Sequence, residues 1–112
     1  MTRMNKWTPT TDLLTLRRMG KLLEELGEAS NVAARVIIQG IDEVDPGSGK
    51  VNRERLENEL ADVQAQIGCT VLAFNLDQDR MARRTAEKMR QMAEWEALFS
   101  PDGVDAPDGR KA

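Results

Sequence analysis

Between residues 11 and 39 the chain repeats its apolar side chains at helical spacing, with no proline to interrupt them. That repeat predicts one long helix, and its width limits what the helix can join. Leu16, Met19, Leu23, Leu26, Ala33 and Ile37 line one seam, and Ala29, Val32 and Val36 extend it sideways. An arc this broad exceeds a single packing seam. A helix of about 28 residues is roughly 42 Å long. Three such rods drawn from a chain of 112 residues leave apolar faces uncovered. A second copy is the simplest cover, so the expected fold is a long-helix bundle completed by dimerisation.

Local signals divide the rest. Pro9 and the threonines before Asp12 suit a helix start, and Gly40 begins a break. The stretch "DEVDPGSGKVN" (42–52) reads as a flexible loop turning at Pro46-Gly47. A second helix is expected over about 53–75 with Asn52 as its N-cap, and a third over about 78–99 with Asp77 as its N-cap. The tail "SPDGVDAPDGRKA" repeats Pro-Asp-Gly and is nearly devoid of apolar residues, so disorder is expected there. The expected organisation is a lead-in over 1–10, one helical domain over 11–99 and a disordered tail over 100–112. No alternating strand pattern occurs, so the fold class is all-α.

With 40% hydrophobic and 31% charged residues, the chain reads as globular. No apolar run approaches the ~18 residues of a membrane span, and the first residues lack a signal core. A lone Cys69 points to a reducing compartment, so a cytoplasmic location is expected. The net charge of −3 and the lack of a basic block count against nucleic acid polymers as partners. They do not count against nucleotides carried with a metal ion.

The chemistry lies in acids beside the seams. Each helical residue turns about 100°. With Leu26 at the centre of the first arc, Glu25 lies about 100° to one side, in the sector of Ala29, Val32 and Val36. Glu28 lies one step further round, three residues on and therefore adjacent. Glu24 faces away, with Arg17 and Arg35. On the second helix Leu60 sits in an arc with Leu56, Val63, Ile67, Val71 and Phe74; Glu59 lies to its side, and Asp62 is three further on. Thus "ELGEA" and "ELADV" repeat one design of acid, leucine, small residue, acid and apolar residue. Packing through the leucine seams in a suitable orientation would bring the two pairs together.

Four carboxylates in one place repel unless a cation joins them. The chain has no histidine, which disfavours a di-iron Glu-x-x-His bundle or a zinc site. Mg²⁺ or Mn²⁺, which take oxygen ligands, are the expected ions. A carboxylate-held Mg²⁺ can clamp phosphate oxygens and acidify bound water, which suggests phosphoanhydride hydrolysis. The rival reading is two solvated acidic faces on a non-enzymatic helical dimer of regulatory or assembly type.

"EELGE" (24–28) followed by "ELAD" (59–62) resembles the EExxE…ExxD signature of MazG-like all-α nucleoside triphosphate pyrophosphohydrolases. The likeness spans about 21–95 and includes "AEKMRQ" on the third helix. It implies a dimer or dimer of dimers that hydrolyses (deoxy)nucleoside triphosphates to the monophosphate and pyrophosphate with Mg²⁺. By position, Glu25, Glu28, Glu59 and Asp62 would hold the metal and form the catalytic centre. Lys88 stands where family members often carry a phosphate-binding base. The chain departs from the pattern four residues later, with Met92 where asparagine is common, which leaves room for a member that binds nucleotide without turnover; Arg84, Arg90 and Gln91 are the nearby polar substitutes. Trp7 and Asn75 are the remaining candidates for contacts to the nucleotide.

Two further signals carry less. "GSGK" (47–50) lacks the glycine at Val44 and the hydroxyl at Val51 that a phosphate loop requires. Cys69 has no histidine to activate it.

Overall fold

The computed structural model describes residues 7–99. The expected tail over 100–112 lies outside them, as do the first six residues of the lead-in. Three helices follow one another: α1 (Leu13–Gln39), α2 (Asn52–Phe74) and α3 (Gln78–Ala97). The fold is all-α, and the described residues contain no strand, only an isolated Val44–Val51 bridge. No helix among them is long and apolar enough to cross a membrane.

The chain divides at Leu76/Asp77 into two compact units. The first is an α1–α2 hairpin. Asp12 caps α1: its Oδ2 accepts from the Thr15 N–H at 2.9 Å and from the Thr15 hydroxyl at 2.8 Å. At the far end Gly40 takes φ 104° and donates its N–H to the Val36 carbonyl at 2.9 Å, ending the helix in a conformation that favours glycine.

Most buried and half-buried positions of α1 are spaced alternately three and four apart, Thr15, Arg18, Leu22, Glu25, Ala29, Val32, Val36 and Gln39, with half-buried Met19 beside them. On α2 the same alternation gives Asn52, Leu56, Glu59, Val63, Gln66, Thr70 and Ala73, and Arg55, Val71 and Phe74 beside them are also buried or half-buried. This is the spacing of two helices meeting along one heptad seam. The expected seam is therefore corrected. Leu16, Leu23, Leu26 and Ile37 remain exposed, Ile37 at 84%, whereas Val32 is only 3% exposed. Glu25, expected beside the packed face, lies in it. Of the arc expected on α2, Leu60 and Ile67 are exposed, whereas Leu56, Val63, Val71 and Phe74 are buried or half-buried.

The connection 40–51 is more tightly built than its glycine content suggests. Asp45 donates its N–H to the Lys50 carbonyl at 2.8 Å, and Asn52 donates to Glu43 at 3.0 Å. Gly49, at φ 74°, donates to the Asp45 carbonyl at 2.7 Å. Arg53 clasps Asp42 through two bonds of 2.7 and 3.0 Å on the surface.

The expected N-cap of the second helix is also corrected. Val51 occupies the cap without a side-chain bond, and Asn52 is the first helical residue. The Asn52 side chain, fully buried, turns back and donates to the Gln39 side-chain oxygen at 2.9 Å and to the Gly40 carbonyl at 3.0 Å. Its own oxygen accepts from Arg55 at 3.1 Å. Tertiary acceptors thus claim a side chain that local rules would assign to capping.

The second unit contains α3. Asp77 caps it as its residue type predicts, accepting from the Arg80 N–H at 2.9 Å. Trp95 and Phe99 meet edge to face, with ring centroids 5.0 Å apart.

Candidate functional site

Midway along the hairpin seam, Glu25 of α1 meets Glu59 and Asp62 of α2. Each offers one carboxylate oxygen, and the three oxygens lie within 4.8 Å of one another. Burial is graded: Glu25 is 9% exposed, Glu59 is half-buried and Asp62 faces solvent. The cluster is therefore open on one side and walled on the other.

Hydrogen bonding is the second feature. Oε1 of Glu25 and Oε1 of Glu59 are buried without any hydrogen-bond partner among the described residues. A buried acceptor left without a donor costs about 1–3 kcal/mol, more when charged. The other Glu25 oxygen, Oε2, lies 3.5 Å from the Lys21 ammonium. Lys21 also donates to Glu24 at 2.8 Å, so Glu24 belongs to the solvated surface as its helical position suggests.

Glu28, the fourth expected acid, contributes no oxygen to this group of three. It still feels the cluster. Repulsion from Glu25, then local desolvation, then repulsion from Glu59 and Glu24 push its carboxyl above the usual range, with Lys21 opposing.

The cluster suits a hard divalent cation. Its donors are all carboxylate oxygens, from two helices, and two of the three residues carry a buried oxygen without a hydrogen-bond partner among the described residues. Mg²⁺ binds oxygen at about 2.0–2.1 Å in octahedral geometry, so neighbouring ligands stand about 2.9 Å apart and opposite ones about 4.2 Å.

Lys88 is exposed on α3, where it lines an open groove of about 310 Å³ with Gln91, Met92 and Trp95. Arg84, one of the polar substitutes, donates to Glu87 at 3.0 Å. Asn75 ends α2 in the left-handed conformation, φ 51° and ψ 51°, with its N–H on the Val71 carbonyl. A C-terminal residue in that conformation has a structural role of its own. Trp7 is 84% exposed. Cys69 is free and exposed on α2.

Sequence reasoning missed Lys21 and the polar network at the turn. There Asp45 accepts from the Gln39 amide at 3.0 Å and the Ser48 N–H at 2.8 Å, with the Arg55 guanidinium 3.6 Å away. These donors hold the Asp45 carboxyl below the usual range, the Gln39 bond foremost. The available signal was the alternate four-three spacing that ends at Gln39 and resumes at Asn52.

No protein-family model, curated protein or solved structure matches the chain.

Proposed function

We propose that the chain is a divalent-cation-dependent hydrolase of (deoxy)nucleoside triphosphates, releasing the monophosphate and pyrophosphate. The observation that carries this reading is the pair of buried, unpartnered oxygens on Glu25 and Glu59, with Asp62 completing a set of three. The substrate class rests on the resemblance of "EELGE" and "ELAD" to the MazG-like signature.

In this reading Glu25, Glu59 and Asp62 hold Mg²⁺ or Mn²⁺. When bound, the ion supplies charge neutralisation for the phosphate oxygens and acidifies water. Glu25 and Glu59 are fixed by the hairpin seam, so the ligands are set before substrate arrives. Asp62, on the solvent side, leaves the approach open to a triphosphate. Water forms the new P–O bond, the bridging oxygen leaves with pyrophosphate, and an acid of the cluster takes the proton. Glu28 stands beside the ligands as the fourth acid. Lys88, Trp7 and Asn75 are assigned to the nucleotide, and Lys88 to its phosphates.

Self-association belongs to the same proposal. α1 carries a second stripe at alternate spacing, Leu16, Met19, Leu23, Leu26, Ala33 and Ile37, most of it exposed. A second copy packing on it would complete a MazG-like bundle as a dimer or tetramer. The lone cysteine suits a cytoplasmic location.

That exposed stripe also favours a second reading, a helical dimer without catalytic activity. Pyrophosphate release from a panel of dNTPs, with and without millimolar MgCl₂, separates the two. Metal-dependent release supports the enzyme. Thermal stabilisation by nucleotide without release supports a binding protein, and no response to metal or nucleotide supports the scaffold.

A further inference from the structure

Lys21 touches the acid cluster from outside. Its ammonium lies 3.5 Å from Oε2 of Glu25 and 2.8 Å from Oε1 of Glu24, and its side chain is half exposed. Oε1 of the same Glu25 is buried without a partner. Glu25 is thus divided: one oxygen meets a cation supplied by the chain, and the other has no hydrogen-bond partner among the described residues. Of the three clustered acids, Glu25 is the one with which Lys21 forms an ion pair.

We propose that Lys21 is the cluster's own counter-cation: it offsets Glu25 when no divalent ion is bound and lowers the affinity for one, setting the ion concentration at which the site fills. This inference rests on the cation-site reading above and adds its regulation.

Two effects of Lys21 oppose each other, and their sizes decide the sign. By pairing with Glu25 it helps orient the carboxylate, which favours ion binding. A half-exposed pair of this kind is worth no more than about fivefold in an equilibrium. Glu25 is also already held by burial in the seam. By its charge Lys21 repels an incoming cation. Two unit charges about 4 Å apart in water shift an equilibrium about fivefold. A divalent ion doubles that energy and so squares the factor, before greater separation and salt reduce it. Repulsion is the larger effect, so removing the charge tightens ion binding by roughly three- to tenfold at low salt.

The test is a Mn²⁺ titration of the full metal-free chain at low ionic strength, with free Mn²⁺ followed by electron paramagnetic resonance. Wild type, Lys21→Gln and Lys21→Arg are compared. Both substitutions keep good helix formers at an exposed position, so both variants fold. The expected result is about three- to tenfold tighter binding in Lys21→Gln and wild-type affinity within about twofold in Lys21→Arg. Unchanged or weaker binding in Lys21→Gln overturns the inference while leaving the cation site standing. Equal tightening in Lys21→Arg overturns it too, because charge would not be the cause. Failure of all three proteins to bind Mn²⁺ removes the cation-site reading itself, and the inference with it.

Discussion

Two polar clusters are folded into the same hairpin seam, and they differ in what they lack. At the turn, Asn52, Gln39, Asp45 and Arg55 bring amides and a guanidinium alongside their oxygens, and the Ser48 N–H adds another donor. The acceptors of Asp45 and Asn52 therefore meet donors within the chain. Further along, Glu25, Glu59 and Asp62 bring acceptors alone, and two buried oxygens find no donor. Burial is comparable, since Asp45 is 6% exposed and Glu25 is 9% exposed. The difference is chemical. The first cluster is satisfied as folded, whereas the second keeps two buried oxygens without a partner among the described residues.

The contrast can be broken most sharply by chemistry. Glu59→Gln removes one charge from the acid cluster, and pyrophosphate release should fall about a hundredfold or more with helical content unchanged by circular dichroism. Wild-type turnover in that variant would mean that the cluster is not the reaction centre. At the turn the effect should be on folding instead. Asn52→Ala takes the donor from the Gln39 side-chain oxygen and removes one bond each from the Gly40 carbonyl and the Arg55 guanidinium, and urea denaturation should show a loss of about 1–3 kcal/mol. A smaller loss would show that water replaces Asn52 without penalty.

A third comparison reverses the sign between clusters. In metal-free protein Glu59→Gln should raise the melting temperature by a few degrees, because the amide removes a repulsive charge and can donate to Glu25. Asp45→Asn should lower it, because the Gln39, Ser48 and Arg55 donors lose a charged acceptor. Shifts of the same sign in differential scanning calorimetry would erase the distinction.

The smallest effect is in pH dependence. Asp45 is held below its ordinary range, so its contribution is present above that range and lost as pH falls through the folded value. The deficit of Asp45→Asn should therefore shrink on acidification. Glu28 is held above its ordinary range in the metal-free fold, so its contribution is present at low pH and lost as pH rises through the folded value. Glu28→Gln should gain on wild type as pH rises to neutrality. Melting curves from acid to neutral pH check both directions.

Much of this was legible in the sequence, for local reasons. The Asp77 cap follows from a side chain bonding a backbone three residues away. The all-α class follows from helical period without alternation. The convergence of Glu25, Glu59 and Asp62 was foreshadowed by acids at one offset from two leucines. What misled was the choice of seam. The stripe through Leu16 and Ile37 and the stripe through Arg18 and Gln39 have the same alternating spacing, and apolar content favoured the first. The hairpin uses the second, where amides and acids of one helix meet polar groups of the other. Asn52 misled for the same reason, since its partners lie across the turn. Lys21 gave no signal because a lysine one turn before an acid is ordinary on a helix surface.

The chain's single cysteine, Cys69, is exposed on α2. It is therefore a ready attachment point for a maleimide fluorophore or nitroxide, with no competing thiol to remove first. Where copies associate, one probe per chain makes every dipolar distance an intersubunit one, so the spectrum reports assembly geometry directly.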